Sequence, residues 1–289
     1  MKDGKIVVMM AGLSGKDGEG KMAWLAAKAI AGQTDMELYH RALAERAGRR
    51  CFFSPESPID LIPPGNHADV LERNRKEIDL IVDFTAPAAV NHNAELYCAA
   101  GIPFVMGTTG GDRKLLVETV VKSDTYAVIA TNFSAPVVIF MEMLRMASEN
   151  FPGGLKGFRL FRKESHQGPD PTRPDFKPKK DPSGTFVASQ PFFEELIDAP
   201  VTTDQIVMVR DRRVQEFELG VPPEHLDGHA FHEYILRSED GTVELGFRHD
   251  VLGRNTYIPL RAIRFVAAHP NSQGRVFDML EVLKWPGGK

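Results

Sequence analysis

The stretch Lys5-Ile6-Val7-Val8-Met9-Met10-Ala11-Gly12-Leu13-Ser14-Gly15-Lys16-Asp17-Gly18 decides the fold of this 289-residue chain. An apolar run of strand length ends in glycines spaced Gly12-x-x-Gly15-x-x-Gly18, and residues 22–31 behind it have the composition of a helix. Strand, glycine turn and helix in that order let backbone N–H groups close on a pyrophosphate, while the helix N-terminus adds its partial positive charge. The spacing departs from G-x-G-x-x-G, and a plain surface turn would carry glycines too. Its position at the first strand–helix junction favours the binding role.

Working outward, residues 37–41, 79–84, 103–106 and 126–130 read as strands. Residues 87–100, with Gly101 as stop signal, and 113–121 read as helices. This alternation implies βαβ units and a parallel sheet with helices on both faces. After residue 130 the pattern changes. Residues 137–150 read as a long helix, 158–163 as a strand, and 168–182 as a loop whose prolines forbid regular structure. A helix over 185–196 is expected to be interrupted at Pro191. Strands are expected at 214–219, 229–237 and 243–250, and a helix at 259–268. The expectation is an α/β chain: a dinucleotide-binding parallel-sheet domain over 1–134, then an α+β substrate-binding and oligomerisation domain over 135–254. Residues 255–289 are expected to pack back on the first domain.

The composition is that of a globular domain, and the net charge of −4 with no basic face argues against a nucleic-acid partner. No apolar run is long enough to cross a bilayer, so no membrane partner is expected. Cys51 and Cys98 read as small buried hydrophobes rather than a disulfide, and no Cys/His spacing points to a metal. The first residues show neither a secretory nor a transit-type segment, so a cytoplasmic location is expected. At the end of the second strand, where an acidic residue would mark an NAD site, the chain has Tyr39-His40-Arg41. Arg41 would suit a 2′-phosphate, yet a solvated arginine would look the same, so both NADPH and NADH remain open.

Three further segments end strands: Asp83-Phe84-Thr85-Ala86-Pro87, Val105-Met106-Gly107-Thr108-Thr109-Gly110 and Thr131-Asn132-Phe133-Ser134. Open α/β sheets bind ligands at these carboxyl ends, and small hydroxyl residues and glycine there can line a nicotinamide and its ribose. A fourth segment, Glu164-Ser165-His166-Gln167, is followed after the proline-rich stretch by Lys179-Lys180-Asp181-Pro182-Ser183-Gly184-Thr185.

With these residues in view the chain resembles the dihydrodipicolinate reductase (4-hydroxy-tetrahydrodipicolinate reductase) family over nearly its whole length. That family carries a Gly-x-x-Gly-Lys/Arg-Met loop, Asp-Phe-Thr-x-Pro, Gly-Thr-Thr-Gly, Asn-Phe-Ser, Glu-x-His, Lys-x-Asp and Ser-Gly-Thr. Gly228-His229 and His249-x-x-x-x-Arg254 extend the match. Glu-Ser-His-Gln and Gly228-His229-Ala230-Phe231-His232 look most like its plant-type branch.

The resemblance implies an N-terminal Rossmann-like domain and hydride transfer from NADH or NADPH to C4 of a small unsaturated cyclic dicarboxylate, in lysine and diaminopimelate synthesis. It also implies a homotetramer or, as in the plant-type branch, a dimer. By resemblance His166 matches the catalytic histidine and Lys179 the proton-donating lysine. Gln167 stands where many members have a second histidine that contacts substrate. Ser183, Gly184 and Thr185 open a helix suited to one carboxylate, with Arg254 a candidate for the other. Cofactor contacts are expected from Gly12, Leu13, Ser14, Gly15, Lys16 and Met22, from Arg41, and from Phe84, Thr85, Gly107, Thr108, Thr109, Thr131, Asn132 and Phe133.

Two departures stand out. Residues 17–21 lengthen the glycine loop, leaving Lys16 and Lys21 as rivals for the phosphates. Residues 168–178 lengthen the His-to-Lys spacing, leaving Lys177, Lys179 and Lys180 as rivals for the proton donor, with Lys-x-Asp favouring Lys179. The insertion could act as a lid or mark a changed substrate. Alternative readings are therefore a related cyclic imine or enamine reductase, or a catalytically silent nucleotide sensor on the same fold.

Overall fold

The computed structural model describes residues 4–14, 21–45, 50–52, 58–173, 176 and 178–288. The chain divides into two compact units, 1–134 with 257–289, and 135–256.

The first unit is a doubly wound sheet. Its elements are β1 (Ile6–Ala11), α1 (Lys21–Ala31), β2 (Met36–Leu43), β3 (Arg50–Phe52), β4 (Pro58–Ile62), α2 (His67–Asn74), β5 (Leu80–Asp83), α3 (Val90–Ala100), β6 (Phe104–Met106), α4 (Arg113–Val121) and β7 (Tyr126–Ile129). The described strands of this sheet run β12-β7-β6-β5-β1-β2-β4-β3, where β12 (Arg275–Phe277) comes from the C-terminal segment. The paired strands are parallel except β3 against β4. β1 lies between β5 and β2, so the order reverses there and the glycine turn leaves from the switch point where such sheets take ligands. Every residue of β1 is buried, as a strand covered on both faces requires. Val7, Met9 and Ala11 pack with Leu71 of α2, Val90, Ala94 and Tyr97 of α3 and Leu116 of α4.

The strand tips are tied to one another. Phe84 N donates to Ala11 O (3.1 Å), Gly107 N to Asp83 O (2.9 Å) and Ala130 N to Met106 O (3.1 Å). The last helix of the unit's core, α8 (Leu260–Ala268), is anchored by Tyr126 Oη donating to Val266 O (3.0 Å) and by Arg264 on Asp35 (2.7 Å).

The second unit contains α5 (Ala135–Asn150), β8 (Arg159–His166), α6 (Gly184–Ile197), β9 (Ile206–Val209), α7 (Arg212–Phe217), β10 (Ala230–Arg237) and β11 (Glu244–Val251). Its described sheet runs β11-β10-β8-β9, antiparallel except β8 against β9. Leu144 of α5 and Phe186, Phe193, Leu196 and Ile197 of α6 pack on Ile206, Tyr234 and Leu236 of the sheet. The remaining helix, α9 (Met279–Lys284), follows β12 and is capped by Asp278, whose carboxylate accepts from Glu281 N (2.9 Å).

The sequence reading gave no element for β3, β4, α2, β12 or α9, and in the second unit the structure departs from it further. Pro191 does not interrupt α6, which is one helix of 14 residues. Buried Phe186 on one side and Phe193, Leu196 and Ile197 on the other lock both halves to the sheet, which outweighs the local cost of about 3 kcal/mol for an interior proline. Residues 212–217 form a helix rather than the strand expected at 214–219, because the Asp211 carboxylate accepts from Arg213 N (2.8 Å) and Val214 N (3.2 Å). The partner of β8 is instead Ile206–Val209. Strand β8 runs on through His166, three residues beyond the strand anticipated.

Asp83 organises the first unit. Its wholly buried carboxylate accepts from Thr85 N (2.9 Å), Thr85 Oγ1 (2.7 Å), Thr108 Oγ1 (2.9 Å), Asn93 Nδ2 (2.9 Å) and Tyr97 Oη (2.7 Å). Burial and the neighbouring Asp83 carboxylate push the Tyr97 phenol well above its ordinary range, so it stays a donor. Tyr97→Phe is expected to cost about 1.5–3 kcal/mol, the value of a buried hydrogen bond to a charged group, measured as a lowered urea midpoint. An unchanged midpoint would remove Asp83 from this organising role.

Candidate active site

In the first unit the expected cofactor residues gather at the strand tips. Gly12 has φ +95°, and a Cβ there would stand 2.4 Å from Phe84 O, so only glycine lets the β1 turn pass the β5 tip. Leu13 is buried, and Ser14 O accepts from Cys51 Sγ (3.0 Å). Cys51 is buried and Cys98 half-buried against the core, both as free thiols. Gly15, Lys16 and Lys177 lie outside the described residues, as does the Arg254 side chain. Met22 is half-buried in the first turn of α1. Arg41, half-buried on β2, sits in register opposite Asp60, which Arg50 pairs at 2.7 Å. A Cβ on Gly107 would meet the Phe84 ring at 2.2 Å and the Phe133 ring at 2.8 Å. Those two rings stand edge to face, 6.0 Å apart. Thr85 and Thr108 are fixed through Asp83, while Thr109 and Thr131 are exposed. Asn132 Oδ1 accepts from Ser134 N (2.9 Å), shaping the β7 tip.

In the second unit, alternation along β8 turns Arg162, Glu164 and His166 toward the helices. Glu164 is buried under the start of α6. Its Oε2 accepts from Ser183 N (2.8 Å) and its Oε1 from Arg210. Arg210 Nε also donates to Lys179 O (2.8 Å), and Lys179 N to Gln167 O (3.0 Å). Lys179 is thereby pinned beside His166, and its charge acts on that ring, whereas Lys180 is exposed. Gln167 is half-buried at the end of β8. Ser183, the N-cap of α6, is spent internally: its amide on Glu164, its Oγ on Thr185 N (3.1 Å) and on His232 Nε2 (2.7 Å). Beside it, Gly184 is exposed and Thr185 half-buried.

The sequence reading missed three residues of this neighbourhood. His232 Nε2 lies 3.2 Å from His166 Nε2. Arg210 holds Glu164, and buried Gln215 of α7 donates to His166 O (2.6 Å). His232 had a signal, since it lies in the quoted Gly228–His232 stretch; Arg210 and Gln215 had none. The proline-rich loop is latched by Arg173, which pairs with Asp170 (2.7 Å) and with Asp227, and by Arg212, which pairs with Asp170 (3.8 Å) as well as with Asp227 (2.8 Å).

An open α/β sheet with a glycine turn at its switch point, in a chain with a smaller α+β unit, defines the class: a two-unit protein with a Rossmann-like N-terminal domain. Residues 6–133 match the family model described as dihydrodipicolinate reductase, N-terminus. The chain is 43% identical over 209 residues (71% of this chain, 57% of the relative) to 4-hydroxy-tetrahydrodipicolinate reductase 1, chloroplastic, of Arabidopsis thaliana. It is 40% identical over 232 residues (78% and 68%) to the probable 4-hydroxy-tetrahydrodipicolinate reductase 2, chloroplastic, of Oryza sativa subsp. japonica. The match thus spans less than two thirds of the Arabidopsis relative. The fold is similar to that of the dipicolinate-bound dihydrodipicolinate reductase from Paenisporosarcina sp. TG-14, with TM-score 0.60 and 17% identity over 95% of this chain and 97% of that one. The chain belongs to the 4-hydroxy-tetrahydrodipicolinate reductase family, and both relatives are plant proteins, in keeping with the plant-type resemblance. Among the described residues no helix is long and apolar enough to cross a membrane.

Burial is the first cause lowering the histidines of the second unit: His166 to about 3, with the Lys179 charge next, His232 to about 2 and His249 to about 4. In the unfolded chain such rings take up protons near pH ~6.5. Below that pH the unfolded state binds protons that the folded state refuses, so stability falls as pH drops from ~6.5 toward ~4. The urea midpoint is expected to decline over this window, and His249→Gln, which removes one such ring, to flatten the decline. An equally steep decline in the variant would contradict the neutral state of the half-buried His249.

Proposed function

We propose that the protein reduces 4-hydroxy-tetrahydrodipicolinate, or the dihydrodipicolinate formed from it by loss of water, to tetrahydrodipicolinate, using NADH or NADPH, within lysine and diaminopimelate synthesis. The observation that carries this reading is the assembly of Glu164, His166, Lys179 and the start of α6 around one buried carboxylate. The strand tips of the first unit support a dinucleotide site: the Gly12 turn leaves no room for a side chain, and the absence of one at Gly107 lets the Phe84 and Phe133 rings close on the β6 tip. When bound there, a reduced nicotinamide supplies the hydride.

The chain's own residues supply the rest. Hydride addition to a conjugated imine leaves negative charge on the substrate ring, which a nearby cation stabilises before a proton arrives. His166 is neutral at pH 7, so Lys179 carries the charge and the proton, and His166 orients the substrate by hydrogen bonding. Gly184 and Thr185 receive one carboxylate at the helix start; Arg254 and Gln167 remain candidates for further contacts. Arg41 is the candidate that favours NADPH over NADH.

The proline-rich insertion, latched by Arg173, supports a second reading in which a different cyclic imine is the substrate. Self-association as a dimer or tetramer belongs to the proposal. It is supported by apolar side chains left exposed on the sheet, Phe161 and Val207. A cytoplasmic location also belongs to it; the plant relatives are named as chloroplastic, so cell fractionation decides.

The test is NAD(P)H oxidation by purified protein given freshly made dihydrodipicolinate synthase product. Turnover confined to other cyclic imines would move the assignment to the second reading, and nucleotide binding without any turnover would overturn both. His166→Gln is expected to lower kcat by about 100-fold with cofactor affinity little changed. Lys179→Met should lose most activity while Lys180→Met keeps it; the opposite order would reassign the proton donor.

A further inference from the structure

We propose that Glu164, His166 and His232 form a binding site for a zinc-type divalent ion, and that Zn2+ bound there blocks the reduction. Strand geometry alone brings the three together. Glu164 and His166 are two apart on β8 and so share a face, and His232 is the cross-strand partner of Glu164 on β10. Their ligand atoms lie within 4.8 Å of one another. His166 Nε2 is 3.2 Å from His232 Nε2 and 3.9 Å from Glu164 Oε2, and Ser183 Oγ stands 2.7 Å from His232 Nε2 as a further oxygen.

The surroundings favour metal over water. All three residues are buried, at 1%, 8% and 2% exposure for Glu164, His166 and His232. The Nε2 atoms of His166 and His232 face each other at hydrogen-bond distance, so each ring presents the same nitrogen to the space an ion would fill. Nδ1 of His232 is buried without a hydrogen-bond partner. It can take over the proton of Nε2, so a tautomer exchange, with no proton leaving the protein, turns both Nε2 atoms into ligands. Because burial keeps both rings neutral, protons compete weakly with the ion at pH 7.

Two imidazoles and a carboxylate are the donors of zinc, cobalt and nickel rather than magnesium or calcium, and three protein ligands leave a position open. The opposing force comes from Arg210, which holds the other oxygen of Glu164, and from Lys179. Arg210 engages Oε1, whereas the oxygen nearer His166 is Oε2, which accepts from the Ser183 amide and keeps a further lone pair. Binding stands on this geometry alone. Inhibition rests in addition on the role proposed for His166, because the ion takes the lone pair that would otherwise meet substrate.

The test begins with chelator-treated full-length protein, without cofactor or substrate, titrated with Co2+ as a coloured stand-in. One Co2+ per chain, with the intense visible absorption of a low-coordinate site and displaced by Zn2+, is the expected result. His232→Gln should lose it, and His92→Gln, at an exposed histidine of α3, should keep it. Wild-type protein that leaves Co2+ in its weak aqueous spectrum overturns the site whatever the variants do, and so does undiminished binding in folded His232→Gln. In the rate assay Zn2+ should inhibit, reversibly with chelator, by competing with substrate rather than with cofactor. Stoichiometric binding without inhibition would overturn the regulatory half, and would be told apart from failure of the functional assignment by turnover of the metal-free enzyme.

Discussion

A single buried carboxylate, Glu164, is the constraint on which the second unit depends. Burying an unpaired charge costs several kcal/mol, so each oxygen must find a donor. One oxygen takes the Ser183 amide at the start of α6; the other takes Arg210 beyond the end of β9. Arg210 then reaches back to the carbonyl of Lys179. Four separate segments, β8, the end of the proline-rich loop, the helix start and the β9 exit, are thereby fixed to one point. Gly168 is part of the same arrangement, since a Cβ there would fall 1.6 Å from Arg210 O. Lys179 is held beside the end of β8 through its backbone.

The first unit solves a similar problem without a cation. Asp83 collects five donors, all neutral, from β5, α3 and the β6 tip. Its negative charge is spread over hydrogen bonds strengthened by burial. The two threonines at the strand tips are therefore set by the core rather than by any ligand. Preorganisation of this kind reduces what a ligand must spend on ordering its site. The glycines at 12 and 107 complete it by letting backbone and rings approach where a side chain would block them.

The histidine cluster shows how burial divides roles between groups. His166, His232 and His249 are all kept neutral by desolvation, and the cations of the neighbourhood, Lys179 and Arg210, reinforce that for the first two. His232 and His249 stack at 4.5 Å, as two neutral rings can and two imidazolium ions would not. Positive charge in this cluster thus resides on Lys179 and Arg210 rather than on imidazole. The same neutrality makes the paired ring nitrogens suitable for a metal ion.

The sequence by itself determined the elements whose signals are local. The apolar run at 5–11 and its glycines, the strand ends at Asp83, Gly107 and Asn132, Gly101 as the stop of α3 and the span of α4 follow from period and turn chemistry. The pairing of His166 with a lysine and a Ser-Gly-Thr helix start was legible because these motifs carry the family resemblance. Tertiary structure alone decided the rest. Pro191 stays helical because aromatic packing on both sides outweighs its local cost. Residues 212–217 coil because Asp211 caps them, a contact that alternation along the chain does not encode. Arg210 reaches Glu164 across 46 positions, and His232 reaches His166 across 66, through strand pairing whose register no single segment specifies. Local chemistry is written in neighbouring residues, whereas a buried charge selects its partners only once the chain has closed around it.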